Sequence, residues 1–272
     1  MFTDISDKLR EKVEKCNIIN LSDKGAGEMD SVNVDEYVKK WKLHRVDTGD
    51  KNFTILGDNV QYNLVKMDLN SDMDTSLVVI PGYSEKSICW TIGRMNHYIN
   101  KHSDIFNKYK NIWIFDLSNA KSIQGKLGDI IDKDEKQATR EIFDTEMSIH
   151  LNKIIKNIND NIVLLGRSAG GGQAVRVTML HKNIKKLLLM APGYVPTEGL
   201  CRFVKTFKEN PIPIVLASVD KDPTVKHQEV VNMYEDLVKG GYGAEHKFIP
   251  IKGGTGKDSF DHRIKEELIK EL

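Results

Sequence analysis

The sequence is poor in cysteine, in proline and in long apolar runs. Three cysteines stand in 272 residues, Cys16, Cys89 and Cys201, far apart and with no C-x-x-C pair. An odd, scattered set builds neither a disulfide framework nor a zinc site, and it fits a reducing compartment where thiols stay free. No apolar stretch approaches the ~18 residues of a membrane span. The opening MFTDISDKLREK is charged too early and too often for a secretory leader. A cytoplasmic location is expected, and the sequons at Asn20 and Asn52 then carry no meaning. An excess of one charge is missing as well: 40 Lys and Arg face 39 Asp and Glu, a net charge of +1. That balance gives no broad basic surface for nucleic acid. Neither an internal repeat nor a low-complexity linker interrupts the chain.

What is present suits a globular protein with a sizeable core. Apolar residues make up 40% and charged residues 29%, and the length allows one or two domains. Residues 1–50 differ from the rest. Scattered apolar positions over 3–16 and 33–46 (Ile5, Leu9, Val13; Val38, Trp41, Leu43) predict two short helices, a helical extension to a main domain over 51–272. Two runs, 52–57 and 62–69, flank the turn-type pair Asp58-Asn59 and predict a β-hairpin. From there buried-type strands (76–80, 112–115, 162–165, 187–190, 212–217, 247–251) alternate with helical spacings (87–109, 143–158, 230–238, 264–272). This pattern predicts an α/β fold: a mostly parallel sheet of about eight strands with helices on both faces. The connection from Pro192 to Asn210 has room for one helix, so no large lid domain is expected.

The most informative segment is Ile162-Val163-Leu164-Leu165-Gly166-Arg167-Ser168-Ala169-Gly170. It sets G-x-S-x-G between an apolar strand and a helix-like stretch, the context that a nucleophile elbow needs. Such a turn lifts the serine hydroxyl above the sheet edge. Glycines two residues to either side avoid a clash with neighbouring backbone, and the helix that follows points N–H groups at the reacting oxygen. The bland alternative is a Gly-rich strand–helix turn. A dinucleotide fingerprint is excluded, because the first G-x-G is missing. A P-loop reading of 253–259 fails too: Ile251 stands where a glycine is required, and Asp258 follows Lys257 in place of Ser or Thr.

With this elbow the chain resembles the α/β-hydrolase superfamily, from about residue 52 onward. The family places an oxyanion loop after its third strand, and here Val78-Val79-Ile80 leads into Pro81-Gly82-Tyr83-Ser84-Glu85. The resemblance implies that the backbone N–H groups of Tyr83 and Ala169 form the oxyanion hole. Gly82 to Glu85 is similar to the monoacylglycerol-lipase and serine-aminopeptidase-like branch. Residues 116–122 keep the aspartate and serine of that branch but none of its glycines.

The family order is Ser, then acid, then His. The acid is expected after the strand 212–217, where Asp222 sits in an Asp-Pro-x-Val context and Asp220 is nearer the strand end. Asp222 is favoured, and either could instead cap the next helix. Of the late histidines, His227 is expected on a solvated helix face and His246 at the start of the last strand. His262 alone lies near the family's histidine loop, although Lys257 holds the slot directly after a glycine. A lysine among acids is protonated at neutral pH, whereas histidine titrates near ~6.5 and suits both halves of a proton transfer.

The resemblance therefore implies a serine esterase or lipase-type hydrolase. Ser168 attacks a carboxylic ester or thioester of a small-molecule acyl substrate, His262 is the base and Asp222 orients it. The reaction needs no metal and no organic cofactor. The competing expectation is a catalytically inactive relative kept for binding or scaffolding, because the fold hosts many functions.

Overall fold

The computed structural model describes residues 2–4, 11, 40–46, 53–83, 87–158, 161–193, 205, 209, 211–240, 245–253 and 262–272. In chain order the strands are β1 (Phe2–Asp4), β2 (Trp41–Val46), β3 (Thr54–Ile55), β4 (Asp58–Asn59), β5 (Asn63–Asp68), β6 (Thr75–Ile80), β7 (Asn111–Asp116), β8 (Asn161–Arg167), β9 (Ile184–Met190), β10 (Ile214–Val219) and β11 (His246–Ile251). The helices are α1 (Ser87–Lys101), α2 (Ser103–Phe106), α3 (Ala120–Lys126), α4 (Lys133–Ile155), α5 (Ala169–Leu180), α6 (His227–Lys239) and α7 (Glu266–Ile269), with a 3-10 turn at Leu127–Asp129.

Among the described residues nine strands form one sheet in the order β1-β2-β5-β7-β6-β8-β9-β10-β11. The six from β7 to β11 run parallel, and β1, β2 and β5 add three antiparallel pairings. The predicted set of about eight strands is thus met, with β1 as one more at the edge. Every residue of β7 and β10 is buried. Side chains of successive strand residues point to opposite faces, so unbroken burial requires cover on both. Helix α5 packs on β8 and β9 and against α4, while α6 packs on β10 and β11. The connection over 191–213, between β9 and β10, is too short for a lid domain.

Two expectations for the N-terminal part need correction. Residues 41–46 form a strand, not the end of a helix, and pair in register with β5. Trp41 and Leu43 are buried on one face with Lys42 exposed between them, and so short a run fits either period. The line drawn between 50 and 51 therefore separates β1 and β2 from a sheet to which they belong. Residues 3–4, the start of the other expected helix, belong to β1, and the rest of the two expected helices over 5–10, 12–16 and 33–39 lies outside the described residues. The hairpin also pairs differently: β5 takes β2 as its antiparallel partner. The turn within 52–62 is Leu56-Gly57, both at positive φ (51° and 81°), joining β3 to β4. A leucine in that conformation is unusual, so turn propensities pointed to Asp58-Asn59 instead. The helix expected over 87–109 divides into α1 and α2 at His102.

Candidate active site

The strand β8 runs between β6 and β9 and delivers Arg167 and Ser168 to the carboxyl edge of the sheet. Ser168 adopts φ 55° and ψ −131°, a conformation that costs of order 1–3 kcal/mol and persists only where the surroundings enforce it. Its N–H donates to Met190 O at 3.0 Å, and its carbonyl accepts from Gly193 N–H at 2.6 Å and Gly171 N–H at 2.8 Å. Contacts close in from three sides. A Cβ on Gly166 would meet Ala174 Cβ at 2.6 Å, one on Gly170 would meet Ile80 O and Pro81 O at 2.2 Å, and one on Gly171 would meet Pro192 Cα at 2.7 Å. Both glycines of the G-x-S-x-G pattern are thus required by close backbone approach, as the sequence predicts. The Gly170 contact also sets the first turn of α5 against the Ile80–Pro81 backbone, next to Tyr83. Ala169 opens that helix, and the first N–H groups of a helix have no partner within it.

Tyr83 itself is buried. Its ring packs edge-on against Phe143 of α4, 5.8 Å between centroids. Burial, and then the charge of Asp144, push its hydroxyl well above the ordinary range, so it stays protonated. Asp144 in turn accepts from Gln173 Nε2 of α5 at 2.8 Å and lies 3.5 Å from Arg176. The loop after β6 is therefore wedged by an aromatic side chain between two helices.

The turn after β10 carries both candidate acids, and they do different things. Asp222 Oδ2 bonds the Nδ1 of His262, while Oδ1 accepts from the N–H groups of Thr224 (2.8 Å) and Val225 (3.0 Å). Its carboxylate is fully shielded from solvent, and the His262 side chain is 16% exposed. Burial works to raise the Asp222 pKa. The His262 hydrogen bond, the two N–H groups and the His262 charge outweigh it and hold the carboxyl below its usual range. Asp220 is exposed and accepts from Gly253 N–H at 2.7 Å, which ties the end of β10 to the second residue after β11. The turn at 224–225, rather than α6, receives the capping bonds of Asp222; α6 has Lys226 as its N-cap, with no side-chain bond.

Among the three late histidines, His262 is the one bonded to Asp222. His246 opens β11 as expected. His227, expected on a solvated face, is half-buried at the start of α6, 2.7 Å from Ser218 Oγ and beside Phe248. The Ser218 hydroxyl draws it inward, a contact nine residues apart that helical spacing does not reveal. The Nε2 of His262 is buried and has no hydrogen-bond partner among the described residues, Ser168 included. Its backbone carbonyl accepts from Arg167 Nη1 at 2.9 Å, one residue before the serine. Lys257 lies outside the described residues, and so do Cys16, Cys201 and the greater part of 194–210. Among the described residues no three His, Cys, Asp or Glu side chains gather as metal ligands would. No helix there is long and apolar enough to cross a membrane.

No family model matches the chain, and no curated protein matches it by sequence. Solved structures are similar in shape. A thermostable esterase aligns over 80% of this chain and 56% of its own, at 12% identity and a TM-score of 0.52. A cold-adapted esterase from an Arctic intertidal metagenomic library aligns over 81% and 90%, at 13% identity and a TM-score of 0.46. A dienelactone hydrolase from Anabaena variabilis ATCC 29413 aligns over 81% and 90%, at 12% identity and a TM-score of 0.46. This chain thus spans little more than half of the thermostable esterase. The chain has the α/β-hydrolase fold.

Proposed function

We propose that the protein is a serine hydrolase that cleaves a carboxylic ester or thioester through an acyl-enzyme on Ser168. The observation that carries this reading is the Asp222–His262 bond, which leaves the buried Nε2 of His262 without a hydrogen-bond partner among the described residues, while the His262 backbone is tied to Arg167 beside the serine. A buried polar atom with no bond is costly, and a base nitrogen kept open for a serine proton accounts for it. In structures without substrate such catalytic bonds are often long and tighten only when substrate is bound.

In this mechanism Ser168 Oγ attacks the acyl carbon as His262 Nε2 takes its proton. Asp222 fixes the tautomer with the proton on Nδ1 and stabilises the imidazolium that forms. The tetrahedral oxyanion is met by the N–H groups of Ala169 and Tyr83, fixed dipoles that need no reorganisation during the reaction. His262 returns the proton to the leaving alkoxide or thiolate. Water then repeats the sequence on the acyl-enzyme, with the same base, and frees the acid. No step draws on a metal or an organic cofactor.

Hydrolysis of short p-nitrophenyl esters by wild type and by Ser168→Ala tests the proposal. The wild type is expected to turn over. The variant is expected to lose several orders of magnitude in kcat with its fold intact, since triad members act as a unit. Equal rates from the two would remove Ser168 from the mechanism. Absence of turnover in both would favour a catalytically silent relative that binds without reacting.

A further inference from the structure

We infer that Arg167, the middle residue between Gly166 and the nucleophile, is a positioning residue that holds the base His262 in place. This rests on the reading of Ser168 and His262 given above. Arg167 ends β8 and is 4% exposed. Its Nη1 donates to the His262 carbonyl at 2.9 Å across 95 positions of sequence. The His262 ring is already anchored at Nδ1 by Asp222. A ring held at one nitrogen can still swing with its backbone. The second anchor, on the carbonyl, removes that freedom and fixes where Nε2 stands. Arg167 and Ser168 are consecutive, so the nucleophile and the backbone of its base are coupled through one side chain and one peptide unit.

The two residues after His262 are gripped as well. The Arg263 guanidinium lies over the Trp90 ring, 6.0 Å from its centroid, and the Ile264 carbonyl accepts from Tyr98 Oη at 3.1 Å. Trp90 and Tyr98 belong to α1, so residues 262–264 are clamped between that helix and the end of β8. An arginine suits the task because its donors reach far from a strand end and spread over a rigid plane, where an ammonium offers a single shorter point charge. A charge-assisted bond to a carbonyl is also stronger than a neutral one. Placement matters in proportion: a shift of about 1 Å in a reacting group can cost on the order of a hundredfold in rate.

The test compares wild type, Arg167→Met, Arg167→Lys, Tyr98→Phe and Ser168→Ala. Each is assayed for kcat and KM on p-nitrophenyl acetate, for melting temperature, and for the low-field proton NMR resonance of the His262 Nδ1–H. Arg167→Met is expected to lower kcat about 10- to 100-fold, to leave KM within about twofold, and to shift or broaden the low-field resonance. Arg167→Lys is expected to recover part of both readouts, and Tyr98→Phe to show a smaller loss of the same kind. A folded Arg167→Met protein with wild-type kcat and an unmoved resonance would overturn the inference. A raised KM at unchanged kcat would overturn it too, by making Arg167 a substrate contact. Should Arg167→Met fail to fold, wild-type kcat and resonance in both Arg167→Lys and Tyr98→Phe would overturn it. The resonance separates this inference from the function it rests on. Full activity in Ser168→Ala would sink the hydrolase mechanism, while a resonance displaced by Arg167→Lys would still show that Arg167 holds His262.

Discussion

Ser168 stands at positive φ, and among the described non-glycine residues only Leu56 and Ala191 share that property. The strain there is balanced by the bonds that Met190, Gly171 and Gly193 make to the Ser168 peptide groups. Gly170 is the tightest neighbour, because the atoms facing its missing Cβ are backbone carbonyls that no rotamer change can move. Gly170→Ala is therefore expected to cost about 3 kcal/mol, the upper end of overpacking penalties, and a urea melt beside wild type measures it. Wild-type stability would contradict the packing described for the elbow. The two aspartates give a second prediction. Asp222→Asn keeps the shape but favours the wrong tautomer of His262, with a kcat loss on the order of 10⁴ by analogy with serine proteases. Asp220→Asn keeps an oxygen that can accept from Gly253 N–H, loses only the charge of an exposed bond, and is expected to stay within about tenfold, on the scale of a neutral bond. Reversed effects in the ester assay would move the acid to Asp220. The serine and its glycines were legible in the sequence because a local motif carries them. Asp222 and His262 were reached through chain order and the chemistry of the side chains. The Arg167 tether was not legible, since an arginine inside the motif has no pattern of its own and its partner lies 95 residues away.

At the scale of elements, the strands from β6 to β10 were the clearest features in the sequence, being unbroken apolar runs. The β2 strand was hidden by a six-residue pattern that both periods fit, and the β3–β4 turn by a leucine in a conformation that glycine or asparagine usually takes. Helix α4 has two unlike halves. Phe143, Met147, Leu151 and Ile154 are buried, whereas none of residues 133–138 is. Its amino end is capped by Asp132, which accepts from the N–H groups of Asp134 (3.0 Å) and Glu135 (2.8 Å). Loss of an N-cap costs about 0.5–2 kcal/mol. Asp132→Ala is expected at the low end, about 0.5 kcal/mol, because the first turns bury nothing and can fray without opening the core. Hydrogen exchange should then speed up over residues 133–138 and stay unchanged from 143 onward. Faster exchange along the whole helix would mean that α4 opens as one unit.

For the whole molecule, acid should act in two ranges. His150 is buried and shares a hydrogen bond with Tyr62 Oη at 3.0 Å. Burial, and then the charge of Lys153, push its pKa down to about 4. The unfolded chain takes up that proton first, so the His150 contribution is complete above about 6.5 and is lost as pH falls toward about 4. Glu266 joins α7 to Lys101 and His102 at the end of α1, and its pKa is held at about 2, first by the Lys101 hydrogen bond. Its contribution is complete above 4.5 and is lost as pH falls toward about 2. Melting temperatures across pH check this. Glu266→Gln should fall below wild type near neutrality and converge with it near pH 2, and His150→Gln should flatten the slope between about 6.5 and 4. A constant gap at every pH would contradict either assignment. Above these stands the reactivity of Ser168, on which the proposed function depends. Intact-mass analysis after treatment with a fluorophosphonate, followed by peptide mapping, reads it without knowledge of the substrate. One adduct per chain on Ser168, slowed strongly in Asp222→Asn and absent in Ser168→Ala, is the predicted result. A protein that stays unlabelled at Ser168, or is labelled stoichiometrically at another residue, would contradict the account.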